Sequence, residues 1–156
     1  MKKVILFIAT VLLMNISFAQ DYTNEEIEVI QELFGSEKKA IIDENINLYG
    51  VDSEKFWKLY DEYEAQRRDI AKEKLELLHK YSLKTGAVSN TLAEELLKKA
   101  IIIRAAQDNL IMKYSDKIKK NTSPLVASQF YQIEHYISDG IRFTILDNMD
   151  FIQDKN

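Results

Sequence analysis

Cysteine is absent from this sequence of 156 residues, and with it go disulfides, thiolate nucleophiles and zinc sites built on sulfur. Glycine and proline are scarce, four and one, where average usage of the two together is nearer ~12%. A sheet-rich fold reverses direction every ~8–12 residues, so punctuation this sparse predicts a few long helices instead. Two histidines and a net charge of −4 argue against a histidine-rich metal centre and against the basic face of a nucleic-acid binder. There is no glycine-rich phosphate loop, no Gly-x-Ser-x-Gly elbow and no nucleophile beside an obvious base. These absences predict a protein that is not an enzyme and carries no cofactor or metal. The length predicts one domain.

What is present begins with an address. Lys2 and Lys3 precede an uncharged, largely apolar run from Val4 to Met14, and Ser17 and Ala19 then supply small residues at the two positions a signal peptidase reads. The pattern predicts a secretory signal over residues 1–19, cleaved after Ala19. A run of eleven residues falls short of the ~20 that span a bilayer, so no stable membrane anchor is expected, and without a cysteine no lipoprotein anchor either. The Lys-Lys start and short run look bacterial, which predicts a periplasmic or secreted protein. Residues 20–156 are then expected to form a single helical domain, with 19 basic against 25 acidic residues and a charge of −6.

The fold expected for that domain is all-α, with about four helices: a long antiparallel hairpin of the second and third, packed by the first and the fourth. Thr23 or Asn24 caps the first helix, Gly35-Ser36 offers a break, and Leu48-Tyr49-Gly50 closes it. Asp52 or Ser53 caps the second, which meets its stop at Gly86. Ser89 or Asn90 caps the third, which runs to Lys119-Lys120. Ser123 and Pro124 open the fourth, because proline suits the first helical position. It reaches about Asn148, with Gly140 inside it and a tail that frays after Phe151.

At ~100° per residue, each long helix gathers an apolar stripe, and polar residues interrupt it. Arg67 and Lys74 lie within the arc of the second helix, Arg104 and Gln107 within that of the third (Leu96, Leu97, Ala100, Ile101, Ile103, Ile111, Tyr114, Ile118), and Glu134 at the border of the fourth. Two readings compete. Either Arg104 or Arg67 meets Glu134 while long cationic stems lie along the core, or part of the apolar face is an exposed amphiphilic surface for a partner. Metal motifs are thin: Glu76 and His79 have the Glu-x-x-His spacing of di-iron bundles, but that chemistry needs two such motifs. His135 and Asp139 stand at i, i+4, where an ordinary side-chain pair is the expectation. Asn121-Thr122-Ser123 matches a glycosylation acceptor and equally a helix cap.

The stretch from Glu37 to Arg67 reads EKKAIIDENINLYGVDSEKFWKLYDEYEAQR. Through Asp52, Glu54, Phe56, Trp57, Tyr60 and Tyr63 it resembles the small exported helical proteins grouped around the Spy and CpxP periplasmic stress proteins. A second segment, from Val126 to Glu134 with Phe130, Gln132, Ile133 and Glu134, looks like one found late in many members. The Leu-Thr-x-x-Gln motif of that family does not occur here. The resemblance implies an antiparallel helical layout, a homodimer as one assembly, and a role in envelope stress. It would be an envelope chaperone holding unfolded clients without ATP, with no nucleic acid as partner. The client surface expected on this reading is the set Arg67, Lys74, Arg104 and Gln107. The alternative is a regulator that binds one specific envelope sensor or anti-sigma partner.

Overall fold

A computed structural model describes residues 24–82 and 88–147, with side chains from Phe34 onward apart from those of 79–82 and 145. The expected signal and cleavage site, a cap at Thr23, the stop at Gly86 and the tail after Phe151 lie outside the described residues, as do the side chains of His79, Tyr81 and Ile145. Four helices follow in order: α1 (Asn24–Asn45), α2 (Ser53–Ser82), α3 (Asn90–Asn121) and α4 (Pro124–Asp147). The all-α expectation holds, and there is no strand among the described residues.

The helix ends follow local chemistry. The Asp52 carboxylate accepts from the Lys55 amide at 3.0 Å, Ser89 from Leu92 at 3.3 Å, and Ser123 from Val126 at 3.2 Å. Each satisfies an amide that the helix itself leaves unbonded. At the α3–α4 joint, Thr122 returns both its amide and its hydroxyl to the Ile118 carbonyl, so this tripeptide is used as a helix terminus.

Two boundaries differ from expectation. First, α1 runs unbroken through Gly35 and Ser36. The ~1 kcal/mol that glycine costs in a helix is offset by tertiary contacts on either side, from Phe34 under Arg67 to Lys38 and Ile42 in the interior. Second, α1 ends at Asn45, before Leu48. There the Asn45 amide group donates to the Ile41 carbonyl, and Asn47 accepts from the Tyr49 amide two residues on. Such side chains compete with the helix for its own backbone groups. Gly50, at φ 76°, then turns the chain toward α2.

α2 packs along α3 and α3 along α4, with α1 laid against α2 and α4. Both long pairs are antiparallel: Glu62 meets Lys117 while Gln66 meets Tyr114, and Arg104 meets Asp139 while Gln107 meets Ser138. The core fills the end of the bundle where α1 and α3 finish and α2 and α4 begin, around Ile42, Phe56, Tyr60, Tyr63, Ile111, Tyr114, Ile118 and Phe130. Tyr63 meets Phe130 edge-on at 5.1 Å and Tyr114 at 5.6 Å, contacts worth ~0.5–1.5 kcal/mol each beyond burial.

Toward the opposite end the apolar cover among the described residues runs out. Leu97 is 62% and Ile101 60% exposed on α3, and Phe143 70% on α4. The stripe expected on the third helix was therefore too wide. Leu96 and Ile103 face the interior, but at ~100° per residue Ile101 points about 160° away from Ile103. No helix among the described residues is long and apolar enough to cross a membrane.

Candidate functional site

On α1 the residues Phe34, Lys38 and Ile42 recur every fourth position, and Ile46 continues the row just past the helix end, which puts them on one face. That face is turned inward, and it carries a lysine. Lys38 is 1% exposed. Its ammonium donates to Glu64 Oε1 of α2 at 2.5 Å and pairs with Glu134 Oε2 of α4 at 2.7 Å. The Tyr63 hydroxyl donates to the same Glu134 oxygen at 2.6 Å. Arg67 presents its Nε to both Glu64 oxygens at 3.0 Å, with its guanidinium over the Phe34 ring. The Tyr63 and Tyr60 rings stand 4.8 and 5.8 Å from the ammonium. Two cations and two carboxylates thus cancel inside the bundle, the arrangement that makes buried charge tolerable.

The electrostatics follow from that geometry. Burial pushes the Glu64 carboxyl up, but the charges and hydrogen bonds of Lys38 and Arg67 outweigh it and hold the group below the ordinary carboxylate value. Burial, reinforced by the neighbouring carboxylates, pushes the Tyr60 and Tyr63 phenols well above theirs. The network is incompletely bonded: Tyr60 OH, Arg67 Nη2 and Glu134 Oε1 are buried without a hydrogen-bond partner, each such omission costing ~1–3 kcal/mol.

A second polar group lies farther along the bundle. Arg104 bonds Asp108 at 2.9 Å on its own helix and Asp139 of α4 at 3.1 Å, and these hydrogen bonds, that to Asp139 foremost, raise its pKa. Arg142 also reaches Asp139, at 3.6 Å. Lys74, half-buried, has its pKa lowered by desolvation and then by the charges of Arg104 and Arg142. Gln107 donates to Ser138 at 2.6 Å.

The four residues expected to form a client surface therefore take different places. Arg67 belongs to the Lys38 cluster, while Lys74, Arg104 and Gln107 lie half-buried farther along α2 and α3. Glu134 does form an ion pair, but with Lys38 of α1 rather than with Arg67 or Arg104. Among the motif residues, Phe56, Tyr60, Tyr63, Phe130 and Glu134 are buried, Trp57 is half-buried and Gln132 exposed. Asp52 is the α2 cap, its carboxyl held low first by the Lys55 backbone hydrogen bond. Asp139 is taken up by arginines, and the His135 ring lies against Tyr131, 4.4 Å between centroids. Glu76 is exposed, and no group of three or more metal-ligating side chains occurs among the described residues.

Sequence reasoning missed Lys38 and Glu64. The signal for Lys38 was its place four residues from both Phe34 and Ile42, obscured by its setting in Glu37-Lys38-Lys39. Among known proteins, no family model, no curated protein and no solved structure matches this chain.

Proposed function

We propose that the protein is a non-enzymatic, exported helical binding protein of the Spy and CpxP kind, which holds unfolded clients without ATP. The observation that carries this reading is the uncovered apolar end of the bundle. Leu97, Ile101 and Ile102 of α3 and Phe143 and Leu146 of α4 are all exposed there, on helices that run side by side. Lys98, Lys99 and Arg142 are interspersed with them. Exposed aliphatic surface holds apolar client segments, and the charges among it keep contact weak and reversible.

Light scattering tests the reading. Stoichiometric protein is expected to suppress aggregation of a chemically denatured enzyme after dilution; unchanged aggregation overturns it. Capture from envelope extracts separates the chaperone from the regulator, since many weak clients fit the former and one dominant partner the latter.

A further inference from the structure

We infer that the groove between α2 and α4 is a recognition site for an amphipathic helix that carries one cation within an aliphatic stripe, and that α1 is its resident, displaceable occupant. The inference deepens the binding role proposed above and rests on it for the occupant being a segment of another protein. The groove is built from both helices: Tyr60, Tyr63 and Glu64 on α2, Phe130 and Glu134 on α4. Its two carboxylates converge on one ammonium between two tyrosine rings.

If mutual burial were the only task, apolar residues at positions 38, 64, 67 and 134 together would serve as well, because desolvating charges is costly and replacing a whole buried ion cluster by apolar residues is often neutral or stabilising. What the charge adds is selection between occupants. Without α1, Arg67 still bonds Glu64 and Tyr63 still bonds Glu134. The vacated groove then holds two carboxylates against one guanidinium, an excess of one negative charge. An acidic chain, at −4 overall, attracts a basic segment from a distance.

A further observation favours displacement. The resident leaves Glu134 Oε1 and Tyr60 OH unbonded, so a competing arginine, with five donors in a rigid fork, has acceptors waiting for it. The occupant that fits is thus a helix with lysine or arginine at i and aliphatic residues at i+4 and i+8, the pattern of Lys38, Ile42 and Ile46.

The test uses the full chain and a fluorescein-labelled peptide of residues 24–48, followed by anisotropy. Lys38→Gln in the protein loosens the resident helix, and this variant is expected to bind the peptide. Affinity should fall by about thirtyfold or more when the peptide itself carries Lys38→Gln, and equally when the protein also carries Glu134→Gln. Binding indifferent to the peptide's lysine, or absent, overturns the inference. If the variant does not fold, hydrogen exchange of the unaltered protein decides. Amides from Lys38 to Asn45 must exchange at least about a hundredfold faster than those from Ile103 to Ile118; equal rates overturn it. A concentration-dependent dimer that Lys38→Gln abolishes, with no peptide bound, overturns the foreign partner in favour of a second copy's α1. Peptide binding without suppression of aggregation would instead remove the chaperone reading and leave the groove standing.

Discussion

The Lys38 ammonium and the Glu134 carboxylate, 2.7 Å apart with side chains 1% and 3% exposed, join the first helix to the last inside the bundle. Removing one partner of such a pair leaves a buried charge uncompensated, whereas the pair itself contributes little net stability. Lys38→Met is therefore expected to destabilise the protein by about 3–5 kcal/mol, measured by urea denaturation. Lys38→Met with Glu134→Gln should recover part of that loss. A single-variant effect within experimental error would show that the pair is not buried as described.

Acid should act through Glu64. Its folded pKa is depressed by Lys38 and Arg67, so the stability it contributes is complete above the ordinary carboxylate value of 4.5 and fades as pH falls through the lower folded value. Thermal melting followed from pH 7 to 3 should show a decline below about pH 4.5 that is smaller in Glu64→Gln.

Alkali should act through the tyrosines. The Tyr60 and Tyr63 phenols are raised above the ordinary value of 10.0, so their contribution is complete below that pH and is lost as pH climbs toward the folded values. Absorbance titration at the phenolate band should leave the Tyr60 and Tyr63 phenols silent until the chain unfolds. A smooth titration of every tyrosine in the folded protein would contradict the burial.

Lys74 offers the opposite sign. Desolvation and two neighbouring arginines disfavour its charge, and no carboxylate bonds it among the described residues. Lys74→Met should raise stability by about 1 kcal/mol, seen as a higher melting temperature. A loss of that size would show a compensating partner.

Exposed apolar residues at the open end should matter for clients and not for folding. Ile101→Lys is expected to change stability by less than about 0.5 kcal/mol while weakening suppression of aggregation. Equal suppression by both proteins would move the client surface elsewhere.

The sequence revealed what is local. Asp52, Ser89, Ser123 and Pro124 mark helix ends because a cap needs only the amides two or three residues on, and four helices follow from their spacing. The ion cluster stayed hidden because its members come from three helices. Lys38 looks like half of a solvated lysine pair until α2 and α4 supply its carboxylates, and Glu64 sits in a run with Asp61 and Glu62 that reads as an exposed acidic face. Arg67 was visible as a cation within an apolar arc, but nothing near it in the chain told which acid would answer it. The width of the α3 stripe failed for the same reason: periodicity locates a face, and only the neighbouring helices decide how much of it is covered.

Trp57 is the single tryptophan of the chain, and it lies where α1 meets α2. The Lys39 ammonium stands 5.1 Å from its ring, held there by Asp61 at 2.9 Å, and Tyr60 touches it edge-on. The protein therefore carries its own optical gauge of the first helix. Departure of α1 removes a cation from the indole and wets one side of it, so the emission of an unlabelled sample should follow that motion in real time, with no probe attached.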